Sequence, residues 1–120
     1  MEEMKPATDK MVYSYLGNTG LKVSVLGLGN WLNNKDDSQN VECTKAALEN
    51  GINYFPTGGI YGFGAAESTL GRELKTLNVP REKIVVTTKI FKIGDDIQMI
   101  FSIEENIIEA IKNSLKKITT

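Results

Sequence analysis

Histidine is absent from this sequence of 120 residues, and cysteine occurs once, at Cys43. Without histidine the chain has no imidazole metal ligand and no Ser–His or Cys–His nucleophilic pair. A single cysteine excludes a disulfide within the chain, which is typical of proteins from a reducing compartment. These two absences narrow the available chemistry and favour a cytoplasmic protein.

Long apolar runs are also missing, since no stretch is long enough to cross a bilayer and residues 1–6 lack the apolar core of a secretory signal. The 14 basic and 15 acidic residues give a net charge of -1, and no basic cluster predicts nucleic-acid binding. Hydrophobic residues at 41% and charged residues at 24% are ordinary values for a globular domain. We therefore expect one domain without direct membrane insertion, preceded by a disordered tail at residues 1–10.

Short β-like runs alternate with helical patterns along the chain. Residues 12–16 and 21–25 flank a Gly-Asn-Thr-Gly turn and predict a hairpin, and an apolar strand is predicted over 23–29. The later elements are a helix capped by Asp37 or Ser38 and ended by Gly51, a strand over 52–55, a helix over 65–77, a strand over 84–90, an irregular segment over 91–103 and a helix over 104–118. This order predicts a parallel α/β sheet, wound either as an open sheet or as a barrel.

The stretch from residue 51 to residue 64 joins a buried strand to a loop with four glycines, and Tyr61 lies in the middle of that loop. Tyr61 has two interpretations: it packs against a turn, or it is functional, because α/β proteins place chemistry in the loops that follow buried strands. The pairs Gly27–Gly29 and Gly62–Gly64 lack the third glycine of a dinucleotide-binding fingerprint. Gly62 and Gly64 are interpreted as turn glycines.

Lys89 lies near the end of the apolar strand at 84–90, where a lysine either reaches solvent or lies beside Tyr61 on the adjacent strand. In the second arrangement the ammonium would favour the phenolate and lower the pKa of Tyr61, which would give a general acid near neutral pH. Trp31, the only tryptophan, either covers the core or belongs to the same site. Trp31, Tyr61 and Lys89 follow three successive strands, and parallel strands end on one side of the sheet.

A set of short motifs resembles the aldo-keto reductases and, more narrowly, the beta subunits of voltage-gated potassium channels. The motifs are Tyr15-Leu16-Gly17 with Gly20-Leu21-Lys22-Val23-Ser24, Leu26-Gly27-Leu28-Gly29-Asn30-Trp31, Asn50-Gly51-Ile52-Asn53-Tyr54-Phe55, Ile60-Tyr61-Gly62 with Ala66-Glu67, Leu70-Gly71 and Thr87-Thr88-Lys89. They occur in the family's order and cover about residues 11–118. As a set they are specific, although each motif alone would be weak.

The resemblance implies an eight-stranded (β/α)8 TIM barrel whose bottom is closed by an N-terminal hairpin. Residues 11–120 would form its N-terminal part, a β-hairpin followed by three βα units. The implied activity is hydride transfer from NADPH to an aldehyde or ketone. Tyr61 would be the proton donor, Lys89 would lower its pKa, and Asn30 and Trp31 would contact the cofactor.

Two departures from the family pattern bear on activity. The family motif Asp-Thr-Ala-x-x-Tyr is replaced here by a segment that begins at Pro56, so the catalytic aspartate is missing. A complete barrel also needs about 250 residues, so we expect a truncated barrel without the later cofactor-binding loops. These departures predict a chain that is inactive alone. The alternatives are a non-enzymatic module that binds a potassium channel or self-associates, and a degenerate fragment.

Overall fold

The computed structural model describes residues 11–31, 36–90 and 103–119, with side chains of the last range from residue 107 onward. The elements are β1 (Tyr13–Tyr15), β2 (Lys22–Ser24), α1 (Asp37–Glu49), β3 (Tyr54–Pro56), α2 (Ala66–Thr76), β4 (Val85–Thr87) and α3 (Ile103–Thr119), with short 3-10 turns at Tyr61–Gly64 and Arg81–Lys83. The predicted tail at 1–10 and nearly all of the predicted irregular segment at 91–103 lie outside the described residues.

The predicted hairpin is present, with β1 and β2 paired antiparallel so that Tyr13 lies opposite Ser24. Asn53, just before β3, links the hairpin to the rest of the fold. Its Oδ1 accepts a hydrogen bond from the Ser24 amide at 2.8 Å, and its Nδ2 donates to the Lys22 carbonyl at 2.9 Å. The hydroxyl of Tyr13 donates to the Gly51 carbonyl at 2.7 Å. Side chains rather than strand pairing therefore attach the hairpin.

The parallel sheet contains β3 and β4, which pair over their full lengths. The strand predicted over 23–29 is divided: its beginning belongs to β2, and Gly27 forms an isolated parallel bridge with Tyr54. Amide hydrogen bonds from Leu28 and Asn30 to β3 carbonyls, at 3.0 and 3.3 Å, continue this pairing. The chain bends at residues 25–26 because the same segment leaves an antiparallel hairpin and joins a parallel sheet.

Helix α1 begins one residue earlier than the capping pattern predicted, with Asp36 rather than Asp37 or Ser38 as its N-cap. Asp36 Oδ1 accepts hydrogen bonds from the Ser38 hydroxyl at 2.6 Å and from the Ser38 amide at 2.9 Å. These bonds favour the carboxylate and hold the pKa of Asp36 below its ordinary value. An aspartate is a strong cap because it satisfies an amide that has no partner within the helix.

The core lies between the sheet and helices α1 and α2. Phe55 and Leu70 are fully buried at its centre. Ala47, Leu74 and Ile84 complete the buried cluster, and Leu28, Leu48, Ile52, Val79 and Val86 pack around it. The helical spacing of Leu70 and Leu74 places both on the inward face of α2.

Helix α3 carries an apolar stripe that remains exposed in the described part of the chain. Its exposed members are Ile107, Ile108, Ile111 and Leu115. A different part of α3 packs on α2 near Gly71. A Cβ added at Gly71 would strike the backbone carbonyl oxygens of Lys117 and Ile118. Glycine therefore permits the close approach of the two helices. None of the described helices is both long and apolar enough to cross a bilayer.

Glu73 of α2 predicts a pH dependence of stability. Its side chain is 3% exposed, and burial raises the pKa of the carboxyl group above its ordinary value of 4.5, with a smaller contribution from Asp37. A 2.6 Å hydrogen bond from the Thr44 hydroxyl and the charge of Arg72 act in the opposite direction. Because the folded state holds this proton more tightly, its contribution is fully present below the unfolded pKa and is lost as pH rises through the folded pKa.

We therefore expect Glu73→Gln to reduce the loss of stability as the pH rises above 4.5, the ordinary pKa of the carboxyl group. The amide keeps the shape and the acceptor for Thr44 but cannot ionise. Urea unfolding of both proteins across this pH range measures the difference. Parallel curves for the two proteins would contradict the assignment to Glu73.

Candidate active site

The site begins where β3 ends and the chain turns through the glycine loop to α2. The amide of Tyr61 donates to the Gly58 carbonyl at 3.0 Å and closes a tight turn. Gly62, Phe63 and Gly64 then follow with φ values of 59°, 55° and 90°, all in the left-handed region. Glycine adopts this region freely, whereas Phe63 adopts it at an energetic cost. The two glycines are therefore required by the backbone path, in agreement with their interpretation as turn residues.

Tyr61 lies at the centre of a group of three side chains that sequence reasoning had placed together. Its ring centroid is 4.6 Å from that of Trp31, with 60° between the ring planes. The ammonium of Lys89 lies over the ring face of Tyr61, 4.9 Å from the centroid. Tilted aromatic pairs and cation–ring contacts at these distances are both attractive. The ends of three neighbouring parallel segments thus form one cluster.

Lys89 makes a second contact that the sequence did not predict. Its Nζ donates to the backbone carbonyl of Thr57 at 3.1 Å. Thr57 follows Pro56, the residue at the family's aspartate position, and Pro56 offers no side-chain acceptor. A backbone carbonyl therefore partners the ammonium. Lys89 therefore lies beside Tyr61, as one of the two interpretations predicted. Its ammonium contacts the ring of Tyr61 and bonds the Thr57 carbonyl.

Asn30 and Trp31 differ in how they are presented. Asn30 is 6% exposed, and its amide Nδ2 donates to the Leu28 carbonyl of its own segment at 3.4 Å. Trp31 is 60% exposed and contacts Tyr61. Of the two predicted cofactor contacts, only Trp31 therefore joins the Tyr61 cluster directly. The Asn30 side chain lies beside it and is turned toward the backbone.

The three glycines of the neighbouring chain ends differ in the space around them. A Cβ added at Gly29 would meet no atom within 4 Å, and one added at Gly59 would meet only the Lys89 carbonyl, at 3.5 Å. A Cβ at Gly58 would instead lie 3.1 Å from two ring atoms of Tyr61. Within residues 11–31, 36–90 and 107–119, no group of acidic or cysteine side chains could hold a metal ion.

Sequence reasoning missed a polar cluster on the other side of the strand end. Glu67 is 1% exposed, and its Oε1 accepts a 2.6 Å hydrogen bond from the Thr88 hydroxyl. Its Oε2 lies 3.6 Å from Lys117 Nζ. In the sequence both residues stood only as members of short motifs, Glu67 in Ala66-Glu67 and Thr88 in Thr87-Thr88-Lys89. The sequence signal that could have indicated this cluster is a glutamate in the first turn of the helix that follows the glycine loop.

Comparison with known proteins identifies the class to which this fold and cluster belong. The model of the Aldo/keto reductase family matches residues 25–120, so the chain belongs to that family. The chain is 30% identical to an aldo-keto reductase from Bacillus halodurans in its holo form, and the two structures superpose with a TM-score of 0.73. The match covers 92% of this chain and 37% of that one. An aldo-keto reductase from Brucella melitensis is 26% identical, with a TM-score of 0.66, and that match covers 92% of this chain and 38% of the other. The fold is therefore part of the aldo-keto reductase TIM barrel.

Two relatives carry names that refer to ion channels. Over 112 residues the chain is 37% identical to a protein of Schizosaccharomyces pombe named as a voltage-gated potassium channel beta subunit. Over 111 residues it is 33% identical to an Arabidopsis thaliana protein named in the same way. The alignments cover 88% and 90% of this chain but 33% and 34% of those proteins. The chain thus spans about a third of the length of the curated relatives that it matches.

Proposed function

We propose that this chain carries a nicotinamide-dependent carbonyl-reductase site in which Tyr61 is the proton donor and NADPH is the cofactor. The observation that carries the proposal is the convergence of Trp31, Tyr61 and Lys89, at 4.6 and 4.9 Å, at one end of the parallel sheet. Membership of the Aldo/keto reductase family supports an oxidoreductase-type reaction on an aldehyde or ketone. The holo form of the Bacillus halodurans relative supports a bound cofactor in the family.

Each member of the cluster has a separate task in this proposal. Tyr61 is half-buried, and its hydroxyl donates a proton to the carbonyl oxygen as that oxygen gains negative charge. Lys89 is held by the Thr57 carbonyl and keeps a positive charge at the ring of Tyr61, where it stabilises the phenolate that proton donation leaves. The exposed indole of Trp31 supplies a flat surface beside the tyrosine, and Asn30 borders it. When bound, the nicotinamide supplies the hydride.

Pro56 limits this chemistry. Lys89 contacts an uncharged carbonyl where the family pattern has a carboxylate, so its position depends on one hydrogen bond of 3.1 Å. A catalytic group misplaced by about 1 Å can lower a rate about 100-fold. Together with the predicted absence of the later cofactor-binding loops, this leads us to propose little or no turnover by the chain alone, and we expect cofactor binding to be easier to detect than catalysis.

A second candidate function is an assembly module that binds a potassium channel or another copy of the chain. The specific support is the similarity to the two proteins named as channel beta subunits. Apolar side chains that remain exposed among the described residues suit an association surface; they include Val25, Leu26, Ile111 and Leu115. This function requires neither proton transfer by Tyr61 nor a bound cofactor.

A thermal melt with and without saturating NADPH tests the reductase proposal. A ligand at about 100 times its dissociation constant stabilises the folded state by about 2.7 kcal/mol, so the midpoint should rise by several degrees. Trp31→Leu should abolish most of the rise because it removes the indole surface. Tyr15→Leu is the matched control, since Tyr15 in the hairpin is 62% exposed, close to the 60% of Trp31.

The outcomes separate the two functions. A rise that Trp31→Leu removes and Tyr15→Leu retains supports the cofactor site. A cooperative transition that NADPH leaves unmoved contradicts it and favours the assembly module, whose mass by analytical ultracentrifugation would then exceed that of one chain.

A further inference from the structure

The strand end that carries Lys89 is held from both of its faces. On one face Lys89 Nζ bonds the Thr57 carbonyl and lies over Tyr61. The side chain of Thr88, one residue earlier, instead reaches helix α2. There its hydroxyl donates to Glu67 Oε1 at 2.6 Å. A length of 2.6 Å lies in the short part of the range for hydroxyl hydrogen bonds.

Glu67 is connected to Tyr61 through the backbone as well. It is the second residue of α2, which begins directly after the turn at Tyr61–Gly64. A hydrogen bond to Glu67 therefore fixes the distance between the end of the Tyr61 loop and the end of the Lys89 strand. Lys117 of α3 reinforces this fixation, with its Nζ 3.6 Å from Glu67 Oε2 and 3.5 Å from the Gly64 carbonyl.

Burial of Glu67 limits the positions that its side chain can adopt. The Glu67 side chain is 1% exposed, and its Oε2 accepts no hydrogen bond from the described residues. A buried carboxylate with few partners is costly, so the partners that it has, Thr88 and Lys117, define its position. No step in the proposed reaction uses Glu67, and the fold has a complete apolar core without it.

We infer that Glu67 is a positioning residue that holds Lys89 against the ring of Tyr61 through its hydrogen bond with Thr88. The inference rests on the proposed function, because it concerns the geometry of that site. Loss of the Thr88 hydroxyl lets the strand end move relative to the Tyr61 loop. The ammonium then leaves the ring face while the core remains folded.

The experiment compares Thr88→Val with Thr44→Val in the full chain. Thr44 makes the same bond at the same length, 2.6 Å, to Glu73, another buried glutamate of α2. Both changes replace a hydroxyl by a methyl group of similar shape. The first readout is the urea unfolding midpoint. The second is the NMR shift of the Lys89 ε-methylene protons, because the neighbouring Nζ lies over the Tyr61 ring and the ring current shifts nearby protons upfield.

We expect Thr88→Val to lose most of the upfield shift of the Lys89 ε-methylene protons, and Thr44→Val to retain it whatever its loss of stability. Thr88→Ser keeps the hydroxyl and should restore the shift. If Thr88→Val and Thr44→Val both retain it, the Glu67–Thr88 bond has no positioning role and the inference is overturned. If Thr88→Val does not fold, Glu67→Leu, which also removes the acceptor, takes its place with the same expected loss.

Failure of the inference is distinguishable from failure of the proposed function. If the unmodified chain shows no ring-current shift of Lys89, the Tyr61–Lys89 contact itself is absent in solution. That result overturns the reductase site and the inference with it. A normal shift in the unmodified chain that Thr88→Val leaves intact overturns only the role of Glu67.

Discussion

Replacement of Pro56 by aspartate is expected to raise the rate of NADPH-dependent aldehyde reduction about 100-fold, the factor by which a misplaced catalytic group can lower a rate. Pro56 lies opposite Thr87 in the parallel register, and the Gly59 amide donates to the Lys89 carbonyl at 3.1 Å, so the pairing continues past β4. In such an extended segment residues 87 and 89 share a face. A carboxylate at residue 56 would therefore project on the side of the lysine. It would pair with the ammonium, which within the described part of the chain contacts the Thr57 carbonyl and the Tyr61 ring.

Two further variants give this prediction its controls. Pro56→Asn removes the proline ring and has almost the same shape as aspartate but no charge, so it should give little of the gain. Pro56→Asp combined with Tyr61→Phe should lose the gain, because the proton donor is absent. The measurement is the loss of NADPH absorbance with an aromatic aldehyde. Equal rates for the aspartate and asparagine variants would assign the effect to backbone freedom and contradict the charge argument.

Leu70→Ala is expected to lower the free energy of unfolding by about 2–5 kcal/mol. Leu70 is fully buried at the centre of the core, where α2 packs against Phe55 of β3. Truncation removes buried methyl groups and leaves a cavity that the neighbours fill only in part. Because the total free energy of unfolding of a native protein is about 5–15 kcal/mol, this loss is a large fraction of the stability.

Leu115→Ala in α3 is the matched control for Leu70→Ala. Leu115 is also a helical leucine but is 54% exposed, so its truncation should change stability by about 0.5 kcal/mol or less. Urea unfolding midpoints of the two variants measure the difference. Equal losses would mean that Leu115 is buried in solution, and a concentration-dependent midpoint for the unmodified chain would then point to association through α3.

The elements and the site were predictable from the sequence to different degrees. The hairpin, the three helices and strands β3 and β4 follow from local patterns, because turn glycines, helical spacing and apolar runs act over short distances. The meeting of Trp31, Tyr61 and Lys89 was also predictable, since parallel strands end on one side. The N-cap at Asp36 differed by one residue from the prediction because three adjacent polar residues can each cap a helix.

What the sequence by itself determined is the class of the protein: the motifs identify the Aldo/keto reductase family, and residue 56 shows that the aspartate is replaced. Only the tertiary structure decided how Lys89 is held, because a backbone carbonyl leaves no signature in a sequence. The same is true of the bond between Glu67 and Thr88, which joins residues 21 positions apart. Local patterns arise from interactions between near neighbours, whereas the positions of buried polar groups depend on which distant partners the packing brings within hydrogen-bond reach.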